Sequence, residues 1–127
     1  MLKSKIIKKK KVSHPAIKAY ITSTSNNTRF TATTPKGDVI ARASAGSIGY
    51  TGTKRSTPNS ASEAAVNFID QIRGFNIKEC TIILKGLFPG RDAALKTISA
   101  SNLPVKAIFD ITPVAHGGCR RPGRRRV

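Results

Sequence analysis

Residues 57–84 read TPNSASEAAVNFIDQIRGFNIKECTIIL, and two periodicities meet in them. Ala61, Ala65, Phe68 and Ile72 recur at helical spacing with Ala64 and Ile69 beside them, which predicts an amphipathic helix. Thr57 is placed to cap that helix, with Pro58 in the first helical position; Ser60 and Glu63 offer an alternative capping box, and Gly74 supplies a stop. Cys80 to Leu84 is then almost wholly apolar, the mark of a buried, parallel strand. A helix that leads into a parallel strand points to an α/β sheet.

The flanking sequence extends the pattern. From Ala16 to Ser23 apolar Ile17, Ala19 and Ile21 alternate with Lys18, Tyr20 and Thr22, as in a half-buried strand. Ser25-Asn26-Asn27 reads as a turn, Thr28 to Thr34 as a second strand, Pro35 to Asp38 as a turn, and Val39 to Ala45 as a third strand. Together they predict an antiparallel meander. After Leu84, a turn at Gly86–Arg91 precedes a helix from Asp92 to Ala100 with Ala94, Leu95 and Ile98 inward, and Val105 to Ile111 makes a fifth strand. The order β-β-β-α-β-α-β predicts one α/β domain with a mixed sheet and helices packed on it.

Charge divides the chain into a basic arm (1–13), a folded domain (14–113) and an arginine-rich tail (114–127). Six Lys lie in residues 1–11 and five Arg in residues 116–127, while all six acidic residues lie between them. The total is 23 basic against 6 acidic side chains, a net charge of +17. Such a chain repels itself, so the excess implies an anionic partner. Nucleic acid leads because phosphate neutralisation releases counterions; an unspecific DNA-compacting or membrane-surface protein is the rival. The tail's Gly and Pro prevent a helix, it cannot bury a core, and its guanidinium forks match phosphate oxygens. Aromatics make up only 6% of the chain and Trp is absent, which disfavours a base-stacking platform. No 18-residue apolar run suits a membrane span and no secretory leader is expected. Two cysteines do not make a disulfide framework, so a reducing compartment is expected.

The loop Gly46–Arg55 suggests phosphate binding. Glycines let the backbone approach an anion, Lys54 and Arg55 add charge, Ser56 and Thr57 add hydroxyls, and the following helix should offer free N–H groups. The spacing fits neither a dinucleotide fingerprint nor a Walker loop. Gly86–Arg91 repeats the logic at the second helix, where Asp92 is also a candidate cap. Both loops leave the C-terminal ends of strands and should share one edge of the sheet. Asn26 and Asn27 at a hairpin tip suit turn chemistry and could also contact RNA sugars and base edges. Cys80, Cys119, His14 and His116 are a poor zinc set, and no nucleophile elbow or paired carboxylates point to catalysis. A lone strand-end acid such as Asp110 reads as structural. A nucleic-acid-cleaving enzyme would need acids such as Asp38, Glu63, Asp70, Asp92 and Asp110 to converge.

These residues resemble a known family. Ser25-Asn26-Asn27-Thr28, Ser44-Ala45-Gly46, Gly52 through Pro58, Pro89-Gly90-Arg91-Asp92, Asp110-Ile111-Thr112-Pro113, His116 with Gly118-Cys119-Arg120, and the basic end Arg124-Arg125-Arg126-Val127 are similar to protein eleven of the small ribosomal subunit, in its bacterial and organellar form. The resemblance covers about residues 14–127. It implies a three-layer α/β/α domain with a five-strand mixed sheet of the ribonuclease-H-like kind, without enzymatic activity or cofactor. It implies a place on the platform of the small subunit, bound to small-subunit ribosomal RNA near the messenger exit path. It further implies neighbouring ribosomal proteins, protein seven among them, and no membrane or small-molecule substrate. Carried over by motif, Asn26, Asn27, Lys54, Arg55, Ser56, Thr57, Gly90, Arg91, His116, Cys119 and Arg120 are expected to face or support RNA, as are Arg121, Arg124, Arg125 and Arg126 of the tail. Two departures stand out: Gly86-Leu87-Phe88 replaces the family's Gly-Pro-Gly, and Gly117 replaces an Asn after the His. With the lysine arm, which has no clear counterpart, they suggest a mitochondrial member, with bacterial cytoplasm or plastid as alternatives.

Overall fold

The computed structural model describes residues 13–126; all of the lysine arm but Ser13 lies outside the described residues. The elements are β1 (Ala16–Ser23), β2 (Thr28–Thr33), β3 (Val39–Ser44), α1 (Pro58–Ile72), β4 (Glu79–Lys85), α2 (Gly90–Ala100) and β5 (Val105–Asp110). They form one five-stranded sheet in the order β3-β2-β1-β4-β5. β1 pairs antiparallel with β2, and β2 with β3; β1 and β4, and β4 and β5, pair in parallel. The α/β class and the mixed sheet are therefore as expected, and this strand order is compatible with a ribonuclease-H-like arrangement.

The layers differ from the expectation. β3, β1, β4 and β5 all point the same way, and the connections β3-α1-β4 and β4-α2-β5 both step in one direction across the sheet. Right-handed crossovers taken in one direction place their helices on the same face. Accordingly α1 packs on α2, β2 and β3, and α2 also reaches β1. Among the described residues the domain has two layers, not three.

Alternation in the strands decides which side chains meet the helices. Ile17, Ala19 and Ile21 of β1 pair in register with Cys80, Ile82 and Leu84 of β4, and all six are buried. Phe30 and Ala32 of β2 and Ala41 and Ala43 of β3 extend this surface. Ala61, Ala64, Ala65, Phe68, Ile69 and Ile72 of α1 cover it, with Ala94 and Ile98 of α2. The many alanines let the helices sit close to the sheet, and Phe30 and Phe68 fill the centre with ring centroids 5.6 Å apart. Such close packing of small and large side chains is what fixes one arrangement.

Element ends show three further differences. Thr57 caps α1, its hydroxyl accepting from the Ser60 N–H at 3.3 Å; the Ser60–Glu63 capping box does not form, because the Ser60 hydroxyl donates to the carbonyls of Thr57 and Arg55. Gly74 does not stop α1. The helix ends at Ile72 and tightens into a 3₁₀ turn, Arg73–Phe75, after which Asn76 takes the left-handed conformation with φ of 50°. The extra turn carries Phe75 onto the core, where its carbonyl accepts from the His14 N–H at 2.8 Å. α2 begins at Gly90, two residues earlier than expected, with Asp92 in its first turn and no side-chain cap.

One backbone contact sets how β1 and the turn after β4 meet. Gly86 has φ of 96°, and a β-carbon there would run into the Ser23 carbonyl. Gly86→Ala should therefore destabilise the fold by at least about 2 kcal/mol in urea or thermal unfolding. Gly123→Ala, where an added β-carbon meets nothing within 4 Å, should leave the transition where it is.

Candidate nucleic-acid interface

The C-terminal ends of β1, β3, β4 and β5 lie at one edge of the sheet. The expectation that the two glycine loops share this edge holds, and the Asn26-Asn27 turn and the start of the tail join them. The turn is built by Thr24. Its hydroxyl accepts from the N–H of Asn27 at 3.1 Å and donates to the Asn27 carbonyl at 3.0 Å. The Asn27 side-chain oxygen accepts from the Thr28 N–H at 2.9 Å. Its amide nitrogen and the Arg55 stem lie together beside Gly46, both within 4 Å of where a β-carbon there would sit. Asn27, Gly46 and Arg55 are thus brought together, while Asn26 is exposed at the tip.

The loop between β3 and α1 is more structured than its glycines suggest. Residues Gly52–Ser56 form a 3₁₀ turn. Ser44 and Ser47 clasp its entry, the Ser44 N–H donating to the Ser47 hydroxyl at 2.9 Å. Tyr50 holds it to α1: the Asn59 amide donates to the phenol oxygen at 3.4 Å, and a hydrogen bond to Glu63 pushes the phenol pKa up. Ser56 and Thr57 donate to the carbonyls of Thr53 and Lys54, both at 2.9 Å, and the Arg55 Nε donates to the Gly52 carbonyl at 3.3 Å. Lys54 is exposed, with no ion pair among the described residues.

The helix N-termini offer less than expected. In the first turn of α1, Pro58 has no N–H, Ser60 is capped by Thr57 and the Ala61 N–H goes to the Thr57 carbonyl. That leaves the Asn59 N–H for an anion. In α2 the Asp92 carboxylate occupies the first turn, where it already answers the helix dipole. Gly90 is buried; a β-carbon there would meet the Thr28 hydroxyl. It lets α2 approach β2 and is not open to a ligand.

Arg91 is likewise turned inward. Its Nη1 donates to Asp110 Oδ2 at 2.9 Å and to the Gly86 carbonyl at 3.2 Å. Asp110 Oδ1 accepts from the hydroxyl of Thr112 at 2.6 Å and from its N–H at 2.9 Å, and that hydroxyl accepts from the Gly86 N–H at 3.0 Å. The ring joins the ends of β4 and β5 to the start of α2. Arg91 therefore supports the edge, and Asp110, the strand-end acid, is its hub. This ring was the least legible part of the site, because its members are 86, 91, 110 and 112 and only the parallel β4–β5 pairing makes them neighbours. Among the described residues no three of His, Cys, Asp and Glu cluster as a metal site.

The profile described as Ribosomal protein S11 matches residues 17–126. The chain is 45% identical over 120 residues to the small ribosomal subunit protein uS11 of Endomicrobium trichonymphae, covering 94% of this chain and 92% of that one. It is 44% identical to uS11c of Cyanophora paradoxa over 119 residues, with the same coverage. It is 43% identical over 130 residues to uS11 of Campylobacter curvus (strain 525.92), over the whole of both chains.

The chain belongs to the ribosomal protein S11 family. In this member, residues 113–126 follow β5 without regular structure and are exposed throughout. His116, Cys119, Arg120, Arg121, Arg124, Arg125 and Arg126 lie here, clear of the folded body. The described arginines of this segment have no carboxylate partner.

Two measurements probe this S11 edge. Hydrogen bonds from the Thr112 hydroxyl and then its N–H hold the Asp110 carboxyl below the usual range; burial opposes them, and Arg91 adds a lesser lowering. The folded pKa is the lower one, so the ring's contribution is complete above the ordinary Asp pKa of about 3.9. It is lost as pH falls through the folded value. Thermal melts over an acid series should decline less in Asp110→Asn than in the parent; equal declines would mean the ring does not hold. The second concerns thiols. Burial pushes the Cys80 pKa up to about 11, whereas Cys119 is exposed. Since the thiolate is the nucleophile, a maleimide should label Cys119 in the folded chain and Cys80 only in denaturant, as read by mass spectrometry.

Proposed function

We propose that this chain is a structural, RNA-binding component of the small ribosomal subunit and not an enzyme. As a member of the S11 family it is a small-subunit ribosomal protein. The observation that carries the interface is the convergence of Asn26-Asn27, the Lys54-Arg55 loop and the root of the arginine tail on one sheet edge. The folded edge sets register on RNA, and the tail supplies charge along it: phosphate contacts position, and few of them need read a base. Asn26, Asn27, Lys54 and Arg55 contact RNA directly; Ser56, Thr57, Gly90 and Arg91 hold the edge in shape; His116, Cys119 and the five tail arginines follow the RNA outward. The site lies on the subunit platform beside the messenger exit path, with protein seven as one neighbour. The compartment is the mitochondrial matrix, a reading supported by Leu87-Phe88 and Gly117 standing where the family pattern differs.

A chain lacking residues 116–127 tests the tail. It should fold with an unchanged melting transition and enter small subunits poorly in sucrose-gradient sedimentation. Its RNA binding should depend on salt less steeply, by about 0.7–0.9 log units for each phosphate that the tail no longer neutralises. Entry equal to the full chain's would remove the tail from the mechanism. Sedimentation of purified mitochondrial lysates, probed for this chain, tests the compartment.

A further inference from the structure

The face of the sheet turned away from the helices carries a second cationic site. β1, β2 and β3 present Thr22, Arg29, Thr31, Arg42 and Ser44 there, and with Ser47 these side chains line a groove of about 530 Å³. The register places Arg29 opposite Thr22 on one side and Ser44 on the other, and Thr31 opposite Arg42. Arg29 and Arg42 are therefore diagonal neighbours on one face, about 7–8 Å apart at the backbone. Both are exposed.

Three features of the groove favour an anion. First, neither arginine has a carboxylate partner among the described residues, whose ion pairs are Arg73–Asp70, Arg91–Asp110 and Lys106–Glu79. Two like charges side by side on a sheet repel, and cross-strand acids would have relieved that. The neighbours are hydroxyls instead. Second, the Ser47 hydroxyl donates within its own turn, to the Ser44 carbonyl, and the Ser44 hydroxyl accepts there from the Ser47 N–H, but the hydroxyls of Thr22 and Thr31 make no hydrogen bond among the described residues and remain available as donors. Two guanidinium forks with two free hydroxyls match the oxygens of a phosphodiester. Third, the groove lies at the end of β3 next to the Ser44–Ser47 turn. That turn contains Gly46, beside Asn27 and Arg55. The groove is thus continuous with the loop edge.

We propose that Arg29 and Arg42 form a second phosphate-binding site, on the open sheet face, that takes the backbone of an RNA strand passing over the loop edge. It rests on the RNA-binding reading above and extends the interface from one edge of the sheet onto its bare face. The recognition is of backbone, since the exposed groups of the groove are forks and hydroxyls: Phe30, which also lines it, is buried, and Tyr20 opposite Thr31 lies at its margin.

The test uses the full chain and small-subunit ribosomal RNA in binding titrations over a salt series. Four proteins are compared: the parent, Arg29→Gln/Arg42→Gln, Arg29→Lys/Arg42→Lys, and Lys54→Gln at the loop edge. The glutamine pair should melt with the parent, bind about tenfold or more weakly at low salt, and show a salt slope shallower by about 0.7–0.9 for each phosphate left without its arginine. The lysine pair should keep the parent's slope, because the charge remains, yet bind more weakly, because the forks are gone. If the glutamine pair matches the parent in affinity and slope while Lys54→Gln does not, the open-face site is wrong and the RNA-binding reading stands. If the parent shows no affinity for this RNA, both fall. If the glutamine pair binds RNA normally but assembles into subunits lacking a neighbouring protein, the face serves protein contact and the proposal is overturned.

Discussion

The hand of the crossover connections governs the rest of the molecule. A right-twisted sheet is re-entered by a helix in one hand only, and both crossovers here run the same way across the sheet. Both helices are consequently sent to one face, which concentrates the apolar alternation of β1, β2, β3 and β4 there and leaves the other face bare. Every loop that leaves a strand for a helix emerges at one edge, because β3, β4 and their parallel partners point together. The loop edge and the bare face that meets it are thus two results of one topological choice. Charge is laid over that frame; it does not create it.

The six acids show how that charge is apportioned. Asp110, Asp70 and Glu79 sit in ion pairs, Glu63 steadies Tyr50, and Asp92 lies in the first turn of α2. The Asp38 N–H and carbonyl close the β2–β3 turn onto Thr34. None of the six lies beside Lys54, Arg29 or Arg42, and residues 113–126 contain no acid at all. A soluble domain that simply carried excess lysine on its surface would be expected to scatter its acids among the cations. Here Asp70 and Glu79 pair with surface cations elsewhere and Asp110 holds Arg91 in its ring, while Lys54, Arg29, Arg42 and the described tail arginines have no carboxylate partner among the described residues.

Local signals in the chain were legible and long-range ones were not. The alternation from Ala16 to Ser23, the stripe from Ala61 to Ile72 and the cap at Thr57 each depend on residues a few positions apart, and each appears as read. Gly74 misled because packing of Phe75 outweighs the local tendency of glycine to end a helix, and Asn76 tolerates the left-handed turn instead. The layer count, implied by family resemblance, failed because no helix follows β5 among the described residues. That leaves β5 as an edge strand with Ile108 and Phe109 exposed. Asn26, Asn27, Lys54 and Arg55 are legible as candidates because turn chemistry and charge runs are visible in one dimension. Arg29 and Arg42 carry no such signal, because they lie thirteen positions apart, each an ordinary polar member of an alternating strand. Only the register makes them neighbours.

On the proposed interface, the folded edge and the exposed tail would meet different costs on binding RNA. Asn27, Arg55 and the Arg91–Asp110 ring are already held by internal hydrogen bonds, so little conformational entropy is given up when RNA arrives. The tail has no such partners, and ordering each residue there costs about 1–2 kcal/mol. A phosphate contact must exceed that for the tail to order, and Arg at five of twelve positions supplies contacts densely enough. Free tail arginines on their own would bind any polyanion; attached to an edge that docks as proposed, they would be delivered to one path. Affinity from the tail and register from the edge would then depend on each other, through the few residues after Thr112 that connect them.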